Sequence, residues 1–521
     1  MNRKDYQHGL ARAAMVLLVA MLSVVTARAE VVNIGTVAEW NAFAARVNGG
    51  VTTLDGLLTA DLDFSDQTFT VAGTSAHPYC GTFDGASHTL TGISVSKSGD
   101  MTANRQGLFG SIGTGGFVKN VTITGSSFAG WDYVGGIAGY NQGGTISNCH
   151  VTASVTIGTT AGSKYYHGGI VGYNSSVNST VSHCTSAAIV INSDQTACHY
   201  FGGIVGGNLG GTVEYCLAVG ATVSAVTSSG AIAGSNTGTL SHNYYANCRV
   251  GETTINIGTS NGDVSTNDGA VPAILLYDQG AEAVGNTTTI SDNSGSEKNV
   301  VLYGRTLYKD GAWNTLCLPF ALDNFTGTPL EDATVMTLGN SAGCDTGFDA
   351  QTGTLTLDFV GADRIEPGVA YIVKWGSGDN ITNPVFAGVT IENEAPADHS
   401  TTSLDGAVGF VGSYSPVIIS GEDREMLYLG SNNKLYYPNA AMQLGSFRAF
   451  FQLDGIIAGA PVAGVRSFVL NFGEDSANAL TGFSECADKA AVYDLCGRRI
   501  PECQQLNAKG IFISNNKKIF K

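Results

Sequence analysis

Apolar positions in the middle of this chain recur in short blocks set between glycines. Four lines share one pattern: Gly136-Ile137-Ala138-Gly139-Tyr140-Asn141, Gly169-Ile170-Val171-Gly172-Tyr173-Asn174, Gly203-Ile204-Val205-Gly206-Gly207-Asn208 and Ala231-Ile232-Ala233-Gly234-Ser235-Asn236. A looser copy, Gly107-Leu108-Phe109-Gly110, precedes them. The leading apolar residues Leu108, Ile137, Ile170, Ile204 and Ile232 are spaced by 29, 33, 34 and 28 residues. A period of this size predicts a stacked repeat architecture. Each line is followed by a short piece ending in a shared position: Thr145 to Cys149, Thr180 to Cys184, Thr212 to Cys216 and Thr239 to Asn243. A third piece, such as Val151 to Ile157, alternates as a half-buried strand does.

About three short strands and no helix are therefore expected in each repeat. One such unit has an apolar face and nothing to bury it on, whereas stacked copies share a core. These features predict a parallel β-helix, with glycines suited to tight corners and positive φ; Leu58 to Phe64 and Gly81 to Gly85 resemble the entry coils of right-handed parallel β-helices, which implies that hand. The glycine-apolar-x-glycine line with its following Asn and the Ser-Asn-Cys ending resembles the GLUG motif over about 145 residues, and Gly107-Leu108-Phe109-Gly110 matches the motif's name most literally. That resemblance implies a bacterial surface protein, since such repeats occur in adhesin-like proteins and in the non-catalytic part of immunoglobulin-cleaving surface proteases.

The flanking patterns differ. Arg3, Lys4 and Arg12 lead into the apolar run Ala13 to Val25, and Ala27-Arg28-Ala29 is a small-x-small site. Residues 1–29 thus read as a signal peptide cleaved between Ala29 and Glu30, the run being short for a membrane span. Thr36-Val37-Ala38-Glu39 fits a capping box. Trp40, Phe43, Ala44 and Val47 follow at helical spacing, and Asn48-Gly49-Gly50 stops the element. This helix is expected to cover the open end of the solenoid, with residues 30–106 forming the N-terminal cap and first coils and 107–265 the repeats. Residues 266–298, rich in Gly, Asn, Thr and Ser, read as a linker. From 299 to 472 many short strand-like runs lie between turn signals, including Ala333 to Leu338, Thr354 to Phe359 and Ala370 to Trp375, and predict an antiparallel β-sandwich. After a spacer at 473–488, residues 489–521 form a small C-terminal β-module with seven basic and two acidic residues. Trp313 to Phe320, Tyr371 to Trp375 and Phe447 to Phe451 resemble a module of secreted proteins from Gram-negative anaerobes. The tail resembles the C-terminal module of extracellular proteins from the same bacteria, which in some is a sorting signal. It departs from that pattern at Cys496, where Gln is usual, and at Asn515-Asn516, where Asn-Gly is usual.

Charge changes the picture in one respect. Without the four basic and one acidic residue of 1–29, the chain holds 22 basic against 42 acidic residues, a net −20. That balance argues against nucleic acid and anionic membrane surfaces as partners. No stretch after residue 29 has eighteen consecutive apolar residues, so no transmembrane helix is expected in the mature chain.

The chemistry-bearing residues are sparse. There is no His-Glu-x-x-His pair and no phosphate-binding loop, and Gly258-Thr259-Ser260-Asn261-Gly262 lacks the strand–helix context of a nucleophile elbow. Between Gly107 and Val250 the charged residues are Lys119, Lys164, Arg249, Asp132, Asp194 and Glu214, at unmatched repeat positions. Asp61 and Asp63 could share a strand face, where structural use competes with catalysis. Cys149, Cys184 and Cys216 occupy one repeat position, which predicts an inward thiol ladder more readily than a disulfide or metal site. No cofactor or metal is implied. One recurrence remains: Trp131-Asp132-Tyr133, Tyr165-Tyr166-His167 and His199-Tyr200-Phe201 precede successive glycine pairs. Trp131, Tyr133, Tyr165, Tyr166 and Tyr200 are candidate binding residues for a surface glycan or protein. The competing reading is that these rings cap a core corner and pack on each other. The expectation is an exported, non-enzymatic, adhesin-like surface protein; the alternatives are a polysaccharide lyase or glycosidase on the β-helix, and a structural stalk.

Overall fold

The computed structural model describes residues 30–97, 104–159, 164–192, 198–225, 227–251, 253–255, 270–421, 423–430, 433–438, 440–459, 464–472, 477–480, 492–493, 511–514 and 517–520. The expected signal peptide, the Gly258–Gly262 stretch and most of the spacer lie outside them. The described residues between 31 and 272 form a β-solenoid, parallel except where Thr253–Ile255 closes one sheet antiparallel, whose strands stack into sheets of eight, seven, four, five and eight. The repeat lines pair in register, Ala138 beside Val171, Val171 beside Val205 and Val205 beside Ala233. Leu108, Ile137, Ile170, Ile204 and Ile232 all point into the core and are fully buried.

One coil holds five strands, where three were expected. The coil starting at Ala138–Asn141 continues through Thr145–Ser147, His150–Val151, Thr156–Thr159 and Lys164–Gly168 before the next begins at Val171–Ser175. The extra strands arise because the chain turns at single residues, leaving segments too short for periodicity to separate. Those turning residues are also unexpected. The motif glycines Gly139, Gly172, Gly206 and Gly234 do not have positive φ; Tyr133, Tyr166 and Tyr200 do, at 54°, 63° and 66°. The glycines answer a different need, the close approach of backbones. A Cβ on Gly172 would stand 2.5 Å from the carbonyl carbon of Tyr133, on Gly206 2.4 Å from that of Tyr166, and on Gly234 2.3 Å from that of Tyr200. Each glycine thus lies against the left-handed tyrosine corner of the preceding coil.

Inside the stack runs a buried amide ladder. Asn141 Nδ2 donates to Asn174 Oδ1 (2.9 Å), Asn174 Nδ2 to Asn208 Oδ1 (2.8 Å) and Asn208 Nδ2 to Asn236 Oδ1 (2.8 Å). Buried carboxamides need such partners, and identical residues in register provide them.

The N-terminal end is closed by a helix, Val37–Asn48, as the sequence pattern predicts. Glu39 N donates to Thr36 Oγ1, and the Glu39 carboxylate accepts from Thr36 Oγ1 and Gly35 N. Trp40 stacks on Phe69 at 5.7 Å and meets Phe83 and Phe109 edge-on at 5.5 and 5.9 Å, so the cap is an extension of the solenoid core.

The expected linker is folded over residues 270–298. Ala270–Pro272 joins the solenoid sheet beside Asn243–Ala246, and Ile274–Tyr277 pairs in parallel with Val300–Tyr303. Between them lies the helix Asn286–Asp292. A composition of small polar residues reads as loop, but here one of them is the organiser. Buried Asn286 accepts from Tyr277 N and donates to Tyr277 O, Tyr414 O and Ser446 Oγ. Beyond it two sheets pack face to face. One holds Asn314–Cys317, Ala370–Lys374, Thr334–Leu338, Thr354–Gly361 and Ser467–Asn471; the other holds Val408–Ser413, Arg448–Leu453 and Met426–Gly430. Leu357, Phe359, Phe410 and Phe451 fill the space between. The pairings are mainly antiparallel, and Thr354–Asp358 with Ser467–Asn471 is parallel. In the tail, Val492–Tyr493, Ile511–Ser514 and Lys517–Phe520 make an antiparallel sheet.

Candidate functional site

The repeat places three of the five candidate rings in one column. Tyr133 and Tyr166 stack at 5.7 Å with 6° between planes, and Tyr166 and Tyr200 at 4.9 Å with 18°. These spacings follow the rise between stacked strands, ~4.8 Å. Tyr165 stands in a parallel column, over His199 at 5.1 Å, and is 38% exposed. Trp131 lies in the turn before Tyr133 and is half-buried.

Two further tyrosines complete the patch. Tyr173 meets Tyr133 and Tyr166 edge-on at 5.3 and 4.7 Å, and Tyr140 meets Tyr133 at 5.3 Å. Both follow a motif glycine, and their recurrence in the Gly-Tyr-Asn triplet was a legible sign. In the next coil this position is Gly207, and the Tyr166 ring lies against it: a Cβ there would be 2.4 Å from a ring carbon. Arg105 sits 4.1 Å from the centre of the Tyr140 ring, a cation–π contact. Tyr140 and Ser175 hydroxyls are 3.0 Å apart. Burial, with the neighbouring Tyr173 and Tyr200 next, pushes the Tyr166 hydroxyl up to about 12, so at neutral pH the patch presents neutral hydroxyls. Column ring faces are largely spent on one another. At the C-terminal end the position in register with Tyr200 is held by exposed Ser228, also in a left-handed conformation at 57°.

Energetically the column is close to balanced. A bulky residue held left-handed costs about 1–2 kcal/mol, and an aromatic pair returns about 0.5–1.5 kcal/mol. With three such residues and the face and edge pairs above, strain and stacking offset each other to within a few kcal/mol.

The other candidate groups are used structurally. Asp61 Oδ1 accepts from Thr89 N and lies 3.1 Å from His88 Nδ1, and Asp63 Oδ1 accepts from Ser65 N. Asp132 Oδ1 accepts from Tyr165 N, bracing the aromatic corner. A carboxylate pair invisible to local spacing does converge. Lys119 Nζ lies 3.4 Å from Asp84 Oδ2 and 2.9 Å from Asp379 Oδ1, and Asn120 Nδ2 donates to both residues. Burial raises the Asp379 carboxyl, but Lys119 and Asn120 outweigh it and hold it below the ordinary range. A general acid needs the opposite shift.

Cys149, Cys184 and Cys216 are fully buried free thiols with one repeated geometry, each Sγ donating to the carbonyl two residues back at 3.3, 3.2 and 3.3 Å. Burial pushes the Cys149 and Cys184 thiols well up, away from the thiolate that metal binding needs. Among the described residues no group of three or more His, Cys, Asp or Glu could hold a metal, and no helix is long and apolar enough to cross a membrane.

Comparison with known proteins gives three partial matches. Halomucin of Haloquadratum walsbyi is 40% identical over 87 residues, which is 17% of this chain and 1% of that protein. The chain therefore spans only a very small part of the relative it matches. A solved candidate immunoglobulin A1 protease from Bacteroides ovatus aligns over 51% of this chain and 88% of its own, at 19% identity and a TM-score of 0.31. Residues 132–156, which run from the first tyrosine corner through the Gly-Ile-Ala-Gly line and Cys149 to the alternating strand, match the GLUG motif family, and the segment at the centre of this solenoid is a GLUG motif.

Proposed function

We propose that this chain is an exported, non-enzymatic, adhesin-like surface protein, and that the tyrosine patch at Tyr133, Tyr166 and Tyr200 is its contact strip for a neutral glycan. The observation that carries the reading is the set of three tyrosines at positive φ in register. A left-handed corner is made more cheaply by Gly or Asn, and stacking does little more than offset the strain of a tyrosine there. Strain kept at successive repeats points to use of the rings. Their exposed edges and neutral hydroxyls, with Tyr165 beside them, suit contact by hydrogen bonding and ring–CH packing. The leader pattern of residues 1–29 and the GLUG repeats support an extracytoplasmic place.

The test is a glycan array and a cell-binding assay with wild type, Tyr166→Ala and Tyr200→Ala at low and high salt. Both substitutions should weaken binding at least several-fold with the fold intact, and salt should matter little because no ion pair is involved. Normal binding in both variants sinks the proposal. The enzymatic alternative rests on Asp84 and Asp379. Release of reducing ends from a polysaccharide by wild type, abolished in Asp379→Asn, would replace the non-enzymatic reading.

A further inference from the structure

The solenoid and the β-domain that follows it meet along one solenoid face in two separate seams. Toward the C-terminal coils the seam is apolar: Leu217, Val219 and Tyr244 pack with Leu275 and Val301. Toward the N-terminal coils it is polar, through Lys119 and Asn120 with Asp379 and through Asn383 Nδ2 at 3.5 Å from Thr185 Oγ1. Around the polar seam the two bodies stand apart, leaving a cleft of about 340 Å³. That volume lies within the range of small-ligand sites, about 300–1,000 Å³.

The wall chemistry is unusual for so acidic a chain. Thr122, Asn148 and Thr152 line the solenoid side and Thr306, Asn380 and Thr382 the other; no residue lining the cleft is Asp, Glu, Lys or Arg. Two rings, Tyr303 and Tyr308, flank it, and Tyr308 is 51% exposed. His150, partly exposed, lines the solenoid wall. Its Nδ1 is shut off from solvent with no hydrogen-bond partner, and burial pushes its pKa down to about 4, so the imidazole is neutral. Apolar ligands would strand the carboxamides and hydroxyls, and an anion would meet no Lys or Arg in the lining itself, with the nearby Lys119 committed to Asp84 and Asp379.

We propose that this interdomain cleft is a second binding site, specific for an uncharged, hydroxyl-rich ligand of one to two sugar units. His150 and Asn148 contact hydroxyls from the solenoid side, Asn380 and Thr306 contact them from the β-domain, and Tyr308 covers the sugar's CH face. The site lies on different strands of the coil from the tyrosine column and does not depend on it. It requires both bodies, so neither half alone should bind.

The experiment is calorimetric titration of the full chain with maltotriose, cellotriose, mannotriose and chitotriose, and with a trigalacturonate as the anionic comparison. At least one neutral trisaccharide should bind at millimolar affinity or better, unchanged between low and high salt. Tyr308→Ala removes an exposed ring that the fold does not need, and His150→Phe replaces the imidazole on the solenoid wall with an apolar ring. Each should weaken binding at least roughly tenfold, the loss of one or two good contacts. Tyr166→Ala should leave this binding unchanged even where it abolishes glycan-array signal, which separates the two sites. Should His150→Phe fail to fold, Tyr308→Ala still decides. The proposal is overturned if no neutral trisaccharide binds wild type, if Tyr308→Ala binds normally, if Tyr166→Ala removes the binding, or if trigalacturonate binds in preference.

Discussion

Replacing Asn174 with Leu would break the amide ladder at its centre with almost no change in side-chain volume. Asn174 is fully buried. Its Oδ1 accepts from Asn141 Nδ2, and its Nδ2 donates to Asn208 Oδ1 at 2.8 Å and toward Thr212 O at 3.4 Å. In the variant Asn141 Nδ2 keeps its bond to Gly144 O, so only one of its two N–H groups is stranded. Asn208 Oδ1 loses the donor supplied by the preceding coil. A buried unsatisfied polar group costs about 1–3 kcal/mol, so the two orphaned groups together should cost about 2–6 kcal/mol. Asn236→Leu is the internal control. Asn236 is only partly buried at the ladder's end, and Asn208 Nδ2 keeps Gly211 O at 3.0 Å and Thr239 O at 3.2 Å. Its cost should stay below about 1 kcal/mol. Hydrogen exchange read by mass spectrometry resolves the solenoid from the β-domain. The Thr180 and Thr212 amides, bonded to Gly144 O and Ser179 O, should exchange at least about 30-fold faster in Asn174→Leu and only a few-fold faster in Asn236→Leu. Equal effects from the two substitutions, or unchanged protection in the first, would refute the view that register-matched amides stabilise the stack.

Other outcomes follow from the same geometry. Ile170→Asp buries an unpaired carboxylate in the core and should cost at least several kcal/mol, seen as loss of the folded solenoid by circular dichroism. Burial depresses the His150 pKa to about 4, so the unfolded chain binds a proton that the folded chain refuses. The associated stability is present above about pH 6.5 and is lost as pH falls toward 4, about 3 kcal/mol in all; His150→Gln should flatten urea midpoints across that window. Tyr200→Gly exchanges stacking for a relaxed left-handed corner, so its net effect on the midpoint should be within about 1–2 kcal/mol of zero in either direction. N-terminal sequencing of exported material should begin at Glu30, and recovery of an intact Met1 to Ala29 would count against export by that leader.

The coil period and its inward-facing isoleucines could be read from spacing alone, because every copy repeats the same burial demand. The division of labour at the corners could not. Glycine and positive φ are associated so strongly that the motif glycines drew the assignment, whereas the structure gives the left-handed angle to tyrosine and uses glycine for backbone contact. Tyr133, Tyr166 and Tyr200 are legible as a recurrence, while Tyr140 and Tyr173 lie inside the glycine line, where the period of the glycines masks them. The amide ladder was also visible as a repeated Asn but carried no sign of burial. Asp379 meets Lys119 across 260 residues of chain, a distance at which no local pattern operates. The cleft is equally nonlocal, since its two walls come from separate bodies.

The stacked register also bears on mechanics. Bonds between coils run along the solenoid axis, so tension on the chain would unwind it one coil at a time, as thread leaves a spool. A coil of 28 to 34 residues released to full extension lengthens the chain by about 100 Å. Unwinding from the C-terminal side is latched, because the terminal coils are held to the β-domain by the Leu217–Leu275 seam and, farther down, by Lys119 and Asp379. Until that latch yields, load applied at residues beyond 472 passes into the sandwich and the side of the stack, and the coils stay wound. Past that point the coils from Asn236 back to Asn141 give way one amide rung at a time, which makes this part of the solenoid a stepwise shock absorber between whatever holds its two ends.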